Sequence, residues 1–257
     1  MIKQKTSFII LFLLSLNILS QNNFKAEYKL ILEKNSYAPI YYELLNKNAK
    51  SVFKFIKKTI PDEIVNNQET GEVILNTKTP DSIQSLIITD YKLKKIFVKN
   101  YITENNGNSY KLYNTFEPIS IEWNYINETK KIDKYLCKKA TTKFRGRLYV
   151  AWYSEEIPII VGPWKFHGLP GAIIEISDSS GQVSFNLEKI EIPYDTDIKY
   201  DKNNFKNLIS IEHFLKIKKT AKVESRKVFK MKILSKLPRG SNIELTKEGN
   251  NDIETEI

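Results

Sequence analysis

The chain has 257 residues, a formal net charge of +10 and a hydrophobic content of 41%. This composition provides enough apolar material for a packed core and excludes a fully disordered chain. Because Cys137 is the only cysteine, an internal disulfide is excluded, and we expect this thiol to be a small buried hydrophobe. The only histidines are His167 and His213, so we expect no metal site and no other cofactor.

Residues 1–20 have the layout of a secretory signal peptide. Lys3 and Lys5 precede an apolar run at 8–19, and the small Ser20 suits the position before a cleavage site. The run is shorter than the roughly twenty residues that a membrane-spanning helix needs. We therefore expect export to the periplasm or cell surface, and no transmembrane segment after cleavage. Export also argues against nucleic acid as a partner.

Alternating hydrophobicity predicts a series of short strands after residue 22. The predicted strands are 23–33, 39–45, 51–55, 73–76, 86–91, 95–101, 110–113, 119–125, 140–153, 172–177 and 182–192. Asn, Asp, Gly or Pro residues bound most of them, and no helix is predicted between them. This pattern favours a mainly β (α+β) fold, with a curved antiparallel meander sheet or half-barrel and one long C-terminal helix.

The predicted strand 140–153 carries apolar side chains on one face and basic and aromatic side chains on the other. The second face consists of Lys143, Arg145, Arg147, Tyr149 and Tyr153. Such a row of cations suits a carboxylate, sulfate or phosphate group, although a solvated outer face is the plainer interpretation. Gly146 interrupts the apolar face, which indicates a bulge, a bend or the close approach of another backbone.

The C-terminal region changes from strand to helix. The stretch 211–234 lacks Gly and Pro and follows Ser210, a suitable N-cap, so we predict a helix, with a strand over 223–233 as the alternative. Its segment from Lys216 to Lys232 is strongly basic, which suggests peripheral contact with an anionic surface. Residues 237–257 are polar and predicted to be disordered, which leaves 21–236 as a single β-rich domain.

Residues 152–177 are dense in glycine, proline and aromatic residues. Leu169, Pro170, Gly171 and Ala172 have the chemistry of a type II turn, with positive φ at Gly171. The preceding Trp164 and Phe166 are expected to fold over a sheet edge or end and to bury their rings. We expect an apolar groove beside them. The tentative ligand-binding residues are Trp164, Phe166, His167, Arg145, Arg147, Tyr149 and Tyr153.

This region resembles the GLPGLI family, whose hexapeptide reads here Gly168-Leu169-Pro170-Gly171-Ala172-Ile173, with Ala172 in place of the usual leucine. The resemblance is strongest over 119–192. Its further motifs are Trp123, Tyr135-x-Cys137-x-Lys139-Ala140, Phe144-Arg145-Gly146-Arg147, Ala151-Trp152-Tyr153, Ile157-Pro158 and Gly162-Pro163-Trp164-Lys165-Phe166. The resemblance implies an extracytoplasmic bacterial protein, often associated with outer-membrane uptake systems, and it implies no catalytic residues.

These features favour an exported binding or accessory module of the cell envelope. Its ligand would be a peptide, a lipid or an outer-membrane protein. The alternative is a hydrolase that uses His167 or Cys137 with a carboxylate, which requires those groups to converge in a cleft. Glu155 and Glu156 are adjacent, so in a strand they point to opposite faces and cannot flank one bond. We interpret them as part of a polar turn.

Overall fold

A computed structural model describes residues 23–32, 39–58, 65–66, 73–74, 86–104, 109–195, 197–199 and 205–235. The predicted signal peptide at 1–20 and the predicted tail at 237–257 lie outside these ranges. Within them, no helix has both the length and the apolar character needed to cross a membrane.

Strands dominate the described part of the chain, which confirms the predicted mainly β class. The strands are β1 (Phe24–Leu32), β2 (Ile40–Lys47), β3 (Lys50–Lys58), β4 (Val65–Asn66), β5 (Val73–Ile74), β6 (Leu86–Asp90), β7 (Lys95–Glu104), β8 (Ser109–Pro118), β9 (Asn124–Ile132), β10 (Tyr135–Phe144), β11 (Arg147–Ser154), β12 (Ala172–Asp178), β13 (Val183–Glu191) and β14 (Ile209–Ser210). The helix α1 (Ile211–Leu234) follows β14. Its N-cap is Ser210, whose Oγ accepts a hydrogen bond from the His213 amide at 3.3 Å. Because α1 includes residues 223–233, the alternative of a strand there is wrong.

Twelve of these strands form one sheet in the order β14-β8-β7-β6-β3-β2-β1-β13-β12-β11-β10-β9. Their pairings are antiparallel except for β14, which runs parallel to β8. β4 and β5 form a separate pair. Because no strand pairing joins β9 to β14 within the described ranges, the sheet is open rather than a closed barrel.

The link between β8 and β9 shows that the sheet is strongly curled. β8 is second in the sheet order and β9 is last, so in a flat sheet they would lie about 48 Å apart at the usual strand spacing of about 4.8 Å. Residues 119–123 connect them, and so short a link spans at most about 20 Å. The two ends of the sheet must therefore approach each other across an open seam.

The linking segment explains one wrong prediction. We predicted a strand at 119–125, but β9 begins at Asn124. Ile119, Ile121 and Trp123 alternate along the link and pack against the main hydrophobic core. A chain that crosses the seam with every second side chain partly buried has the same hydrophobic period as a strand, so periodicity alone does not distinguish this link from a strand.

The predicted single strand 140–153 is also wrong, because the chain reverses at Arg145 and Gly146. Both residues have positive φ, at 51° and 76°, as a two-residue hairpin turn with right-handed strand twist requires. β10 and β11 then pair so that Thr142 lies opposite Tyr149 and Ala140 opposite Ala151. The two-residue turn shifts the alternation by one position, so the buried face changes from even to odd residue numbers.

Candidate functional site

The loop at 155–171, between β11 and β12, fills the inside of the curled sheet. It is folded by backbone hydrogen bonds, including the Gly162 amide to the Phe166 carbonyl at 2.9 Å and the Gly168 amide to the Ile160 carbonyl at 2.7 Å. The buried apolar side chains that it contributes are Ile157, Ile159, Val161, Trp164, Phe166 and Leu169. We call residues 155–171 the plug loop.

Phe166 is the centre of an aromatic cluster in this interior. Its ring centroid lies 4.8 Å from that of Tyr149 and 5.3 Å from that of Trp164, and it also contacts Phe144 and Phe185. These spacings and the edge-to-face angles are those of favourable aromatic pairs. The prediction that Trp164 and Phe166 bury their rings is confirmed, since their exposed fractions are 8% and 1%.

The end of the plug loop differs from the predicted type II turn. Positive φ occurs at Gly168, at 91°, and not at Gly171. Gly171 is required for another reason, because a Cβ atom at this position would overlap the backbone carbonyl of Ser154. The glycine therefore permits the plug loop to approach the end of β11 before β12 begins.

A buried ion cluster joins the plug loop to both ends of the sheet. The Glu117 carboxylate on β8 contacts the Arg145 guanidinium in the β10–β11 turn and the Lys165 ammonium in the plug loop, the latter at 2.5 Å. The side chains of Glu117 and Lys165 are 2% and 1% exposed. The excess positive charge lies over aromatic rings, with Lys165 Nζ 5.3 Å from the Trp164 centroid and the Arg145 guanidinium 5.1 Å from that of Phe144.

Arg147 belongs to a second, separate buried pair. Its Nη1 donates to Asp178 Oδ2 at 2.6 Å and to Gln182 Oε1 at 3.1 Å. Although burial raises the pKa of Asp178, hydrogen bonds from Ser180, the Val183 amide and Arg147 outweigh it, so the net pKa is lowered. This pair joins the β12–β13 turn to the start of β11.

The predicted row of cations on one face is therefore not formed. Lys143 is exposed on β10, whereas the side chains of Arg145 and Arg147 are turned to Glu117 and Asp178. Tyr149 and Tyr153 are buried, at 0% and 3% exposure. The hairpin reversal is the cause, because it places Arg147, Tyr149 and Tyr153 on the inner face instead of the outer one.

A hollow of about 740 Å³ opens beside the β10–β11 turn. Its lining residues are Pro118, Ser120, Lys143, Phe144, Arg145, Gly146, Arg147, Leu148 and Glu212. A second hollow, of about 530 Å³, lies near Lys47, Asp90 and Asp197. Neither of these two hollows is lined by Trp164 or Phe166, and in the described part of the chain the rings of Phe144, Tyr149 and Phe185 pack against them. In the first hollow the arginine charges are compensated by Glu117 and Asp178.

His167 and Cys137 occupy separate environments. Nδ1 of His167 lies 2.8 Å from the Lys165 carbonyl, and since a carbonyl oxygen accepts, this nitrogen donates. Burial lowers the pKa of His167, which favours the neutral ring. Cys137 is buried as predicted, its Sγ is 3.7 Å from the Tyr135 carbonyl, and burial raises the pKa of the thiol. Over the described ranges, no hydrogen bond or ion pair joins the two.

Two residues of the interior were not predicted from the sequence. No local sequence pattern distinguished Glu117 from the other acidic residues, of which the chain has 30 in all, because Glu117 lies in an ordinary strand. Lys165 was visible as part of the dense segment 152–177, but a buried lysine is unusual and its partner is distant in sequence.

Trp123 stood out only through the family resemblance, and its Nε1 donates to the His167 carbonyl at 2.8 Å. This bond ties the seam-crossing link to the plug loop.

Comparisons with known proteins give a short family match and a distant likeness of fold. Residues 145–175, which include the plug loop and the hexapeptide, match the model of a family described as "Protein of unknown function (Porph_ging)". No curated protein matches the chain. Two structures of PNGF-II, in the P21 and C2 space groups, are 16% identical with TM-scores of 0.46 and 0.48. The matches cover 74% and 80% of this chain, which spans about a third of those chains, 31% and 33%.

Gly171→Ala is predicted to destabilise the protein more than Gly168→Ala. The first substitution forces a Cβ against the Ser154 carbonyl, whereas the second makes only ordinary van der Waals contact with Trp123 and adds the strain of positive φ, about 1 kcal/mol. Urea unfolding of both variants gives the comparison. Equal losses in the free energy of unfolding would contradict the close approach at Gly171.

Glu117→Gln is predicted to lower the free energy of unfolding by about 3 to 5 kcal/mol, because it removes the carboxylate charge that both buried cations contact. Adding Lys165→Met should recover part of this loss, since one of the two buried positive charges is then removed. The matched control is Glu128→Gln, which breaks an exposed pair with Lys139 and should cost far less. If the two glutamate variants unfold at the same urea concentration, the cluster does not stabilise the seam.

Cys137 is predicted to resist alkylation in the native protein. Its thiol is inaccessible, and the raised pKa keeps it protonated near neutral pH. Iodoacetamide labelling, followed by mass spectrometry, should be slow in buffer and fast in denaturant. Rapid labelling of the folded protein would restore the thiol version of the hydrolase hypothesis.

Proposed function

We propose that this chain is an exported binding module of the cell envelope, which holds a partner protein by adding an extended segment of that protein to β9. The exported location rests on the signal-peptide pattern of residues 1–20. Membership of the GLPGLI family, suggested by the motifs between 119 and 192, is part of the same proposal and is consistent with an accessory role.

The filled interior supports a binding surface on the outside of the molecule. Ligand pockets are usually concave and largely apolar, but here the aromatic side chains of the plug loop occupy the inner space. The two hollows described above are lined by charged and polar groups as well as apolar ones. A small apolar ligand therefore has less support than a macromolecular partner.

The observation that carries the proposal is the exposed edge of β9. β9 ends the sheet order and pairs with β10 alone among the described strands. Most of its side chains are exposed, including Tyr125 at 59% and Ile126 at 37%. An edge strand offers unpaired N–H and C=O groups to an incoming strand, and partners that bind in this way gain main-chain hydrogen bonds.

Two of the three charged side chains of β9, those of Glu128 and Lys130, are held over the sheet, whereas Lys131 is exposed. Lys130 reaches back over the sheet, where its Nζ lies 3.2 Å from Glu175 and 4.4 Å from the Trp152 ring centroid. Glu128 likewise pairs with Lys139 on β10 at 2.8 Å. Lysines at an edge normally discourage strand addition, but a lysine that is held over the sheet leaves the edge accessible. The opposite end of the sheet is different, because β14 and α1 cover part of β8.

The hydrolase alternative has less support. It requires His167 or Cys137 to meet a carboxylate in a cleft, whereas the described contacts give each of them a backbone carbonyl. Neither hollow is lined by either residue.

Site-specific photo-cross-linking in cells tests strand addition. A photoreactive residue in place of Asn127 on β9 is expected to yield one defined covalent adduct with an envelope protein, and hydrogen exchange of the complex should show protected β9 amides. The matched control is the same residue in place of Ile56, which is 40% exposed on the interior strand β3. Equal adducts from both positions, or unprotected β9 amides in the complex, would contradict the proposal.

A further inference from the structure

Few described apolar contacts join the second half of α1 to the sheet. Near the start of the helix, Ile211 and Phe214 are buried against Ile102 in a small hydrophobic cluster. Among the side chains that the structure describes, partly buried members of that cluster extend along the helix no farther than Ala221. Beyond this point Val223 and Val228 are each 49% exposed and Met231 is 70% exposed. Residues 222–234 therefore form an arm about 20 Å long at the usual helical rise.

One row of lysines lies on the side of α1 that faces away from the sheet. Between residues 216 and 232 there is one acidic residue, Glu224, among many lysines. At about 100° per residue, Lys219, Lys227 and Lys230 fall within about 80° of one another, opposite the face that contains Phe214. Such a row attracts an extended anionic surface, and the attraction weakens as salt is added.

Apolar side chains on the same side distinguish between anionic partners. The helical spacing places Val223 among the lysines and Met231 next to them, and both side chains are exposed. A polysaccharide or a nucleic acid offers these aliphatic side chains less apolar surface than a lipid does. At a lipid surface, lysine stems and apolar side chains sink between the headgroups while the ammonium groups stay at the phosphates.

We propose that the outer face of α1 from Lys219 to Met231 is a peripheral membrane-docking surface that recognises anionic phospholipid headgroups. Lys219, Lys227 and Lys230 contact the phosphates, and Val223 and Met231 enter the headgroup layer. This docking needs no partner protein, so it holds or fails independently of strand addition at β9.

Vesicle sedimentation tests the proposal directly. Every variant is purified from cells after any processing that the cells carry out, so that all variants have the same N-terminus. We expect binding to phosphatidylcholine vesicles that contain phosphatidylglycerol, weak binding to pure phosphatidylcholine, and release by salt. The variant K219Q/K227Q/K230Q should lower the partition coefficient about fivefold per charge, or about a hundredfold in total.

The controls separate charge at this site from charge in general. K57Q/K92Q/K206Q removes the same charge from exposed lysines outside α1 and should bind like the wild type, as should K219R/K227R/K230R. Val223→Ser with Met231→Ser should weaken vesicle binding but not retention on an acidic polysaccharide. Circular dichroism checks that α1 persists in each variant. The proposal is overturned if both triple glutamine variants bind equally, or if the polysaccharide is bound more tightly than the anionic vesicles.

Discussion

The ion cluster of Glu117, Arg145 and Lys165 is the interaction on which the shape of this protein depends. It connects β8, the β10–β11 turn and the plug loop, which lie far apart in the sheet order. Burying three charges is costly unless they are paired, so the cluster is compatible with one arrangement of these segments. The curl of the sheet, the open seam and the seated plug loop are all parts of that arrangement.

The plug loop fills the space that the curled sheet encloses. A sheet of this curvature without a plug would enclose an apolar cavity, as larger barrels do. Here Phe166 and its aromatic neighbours take that volume, and Trp123 fastens the loop to the link across the seam. The dense segment of glycine, proline and aromatic residues is thus explained by packing, because glycines admit the close backbone approach and the rings fill the interior.

The sequence predicted the elements better than their connections. Alternation located β1 and the β12–β13 hairpin correctly, and Ser210 marked the start of α1. The reversal at Arg145 and Gly146 was missed because alternation continues on both sides of the turn, with its phase shifted by one residue. That one shift also misplaced Arg147 and Tyr149 in the candidate site. Glu117 was missed since its partners lie in other segments, and local patterns carry no information about them.

The seam also lies near both of the proposed binding surfaces, the outer face of α1 and the edge of β9. Glu212, in the first turn of α1, lines the same hollow as Lys143 and Arg145, so α1 begins beside the β10–β11 turn. β9 follows β10 at that end of the sheet. The start of α1 and the β10–β11 turn, which contributes Arg145 to the ion cluster, therefore lie side by side near the free edge of the sheet. A module held at a lipid surface by the outer face of α1 would present the β9 edge near that surface, which suits the capture of an extended segment from a neighbouring envelope protein.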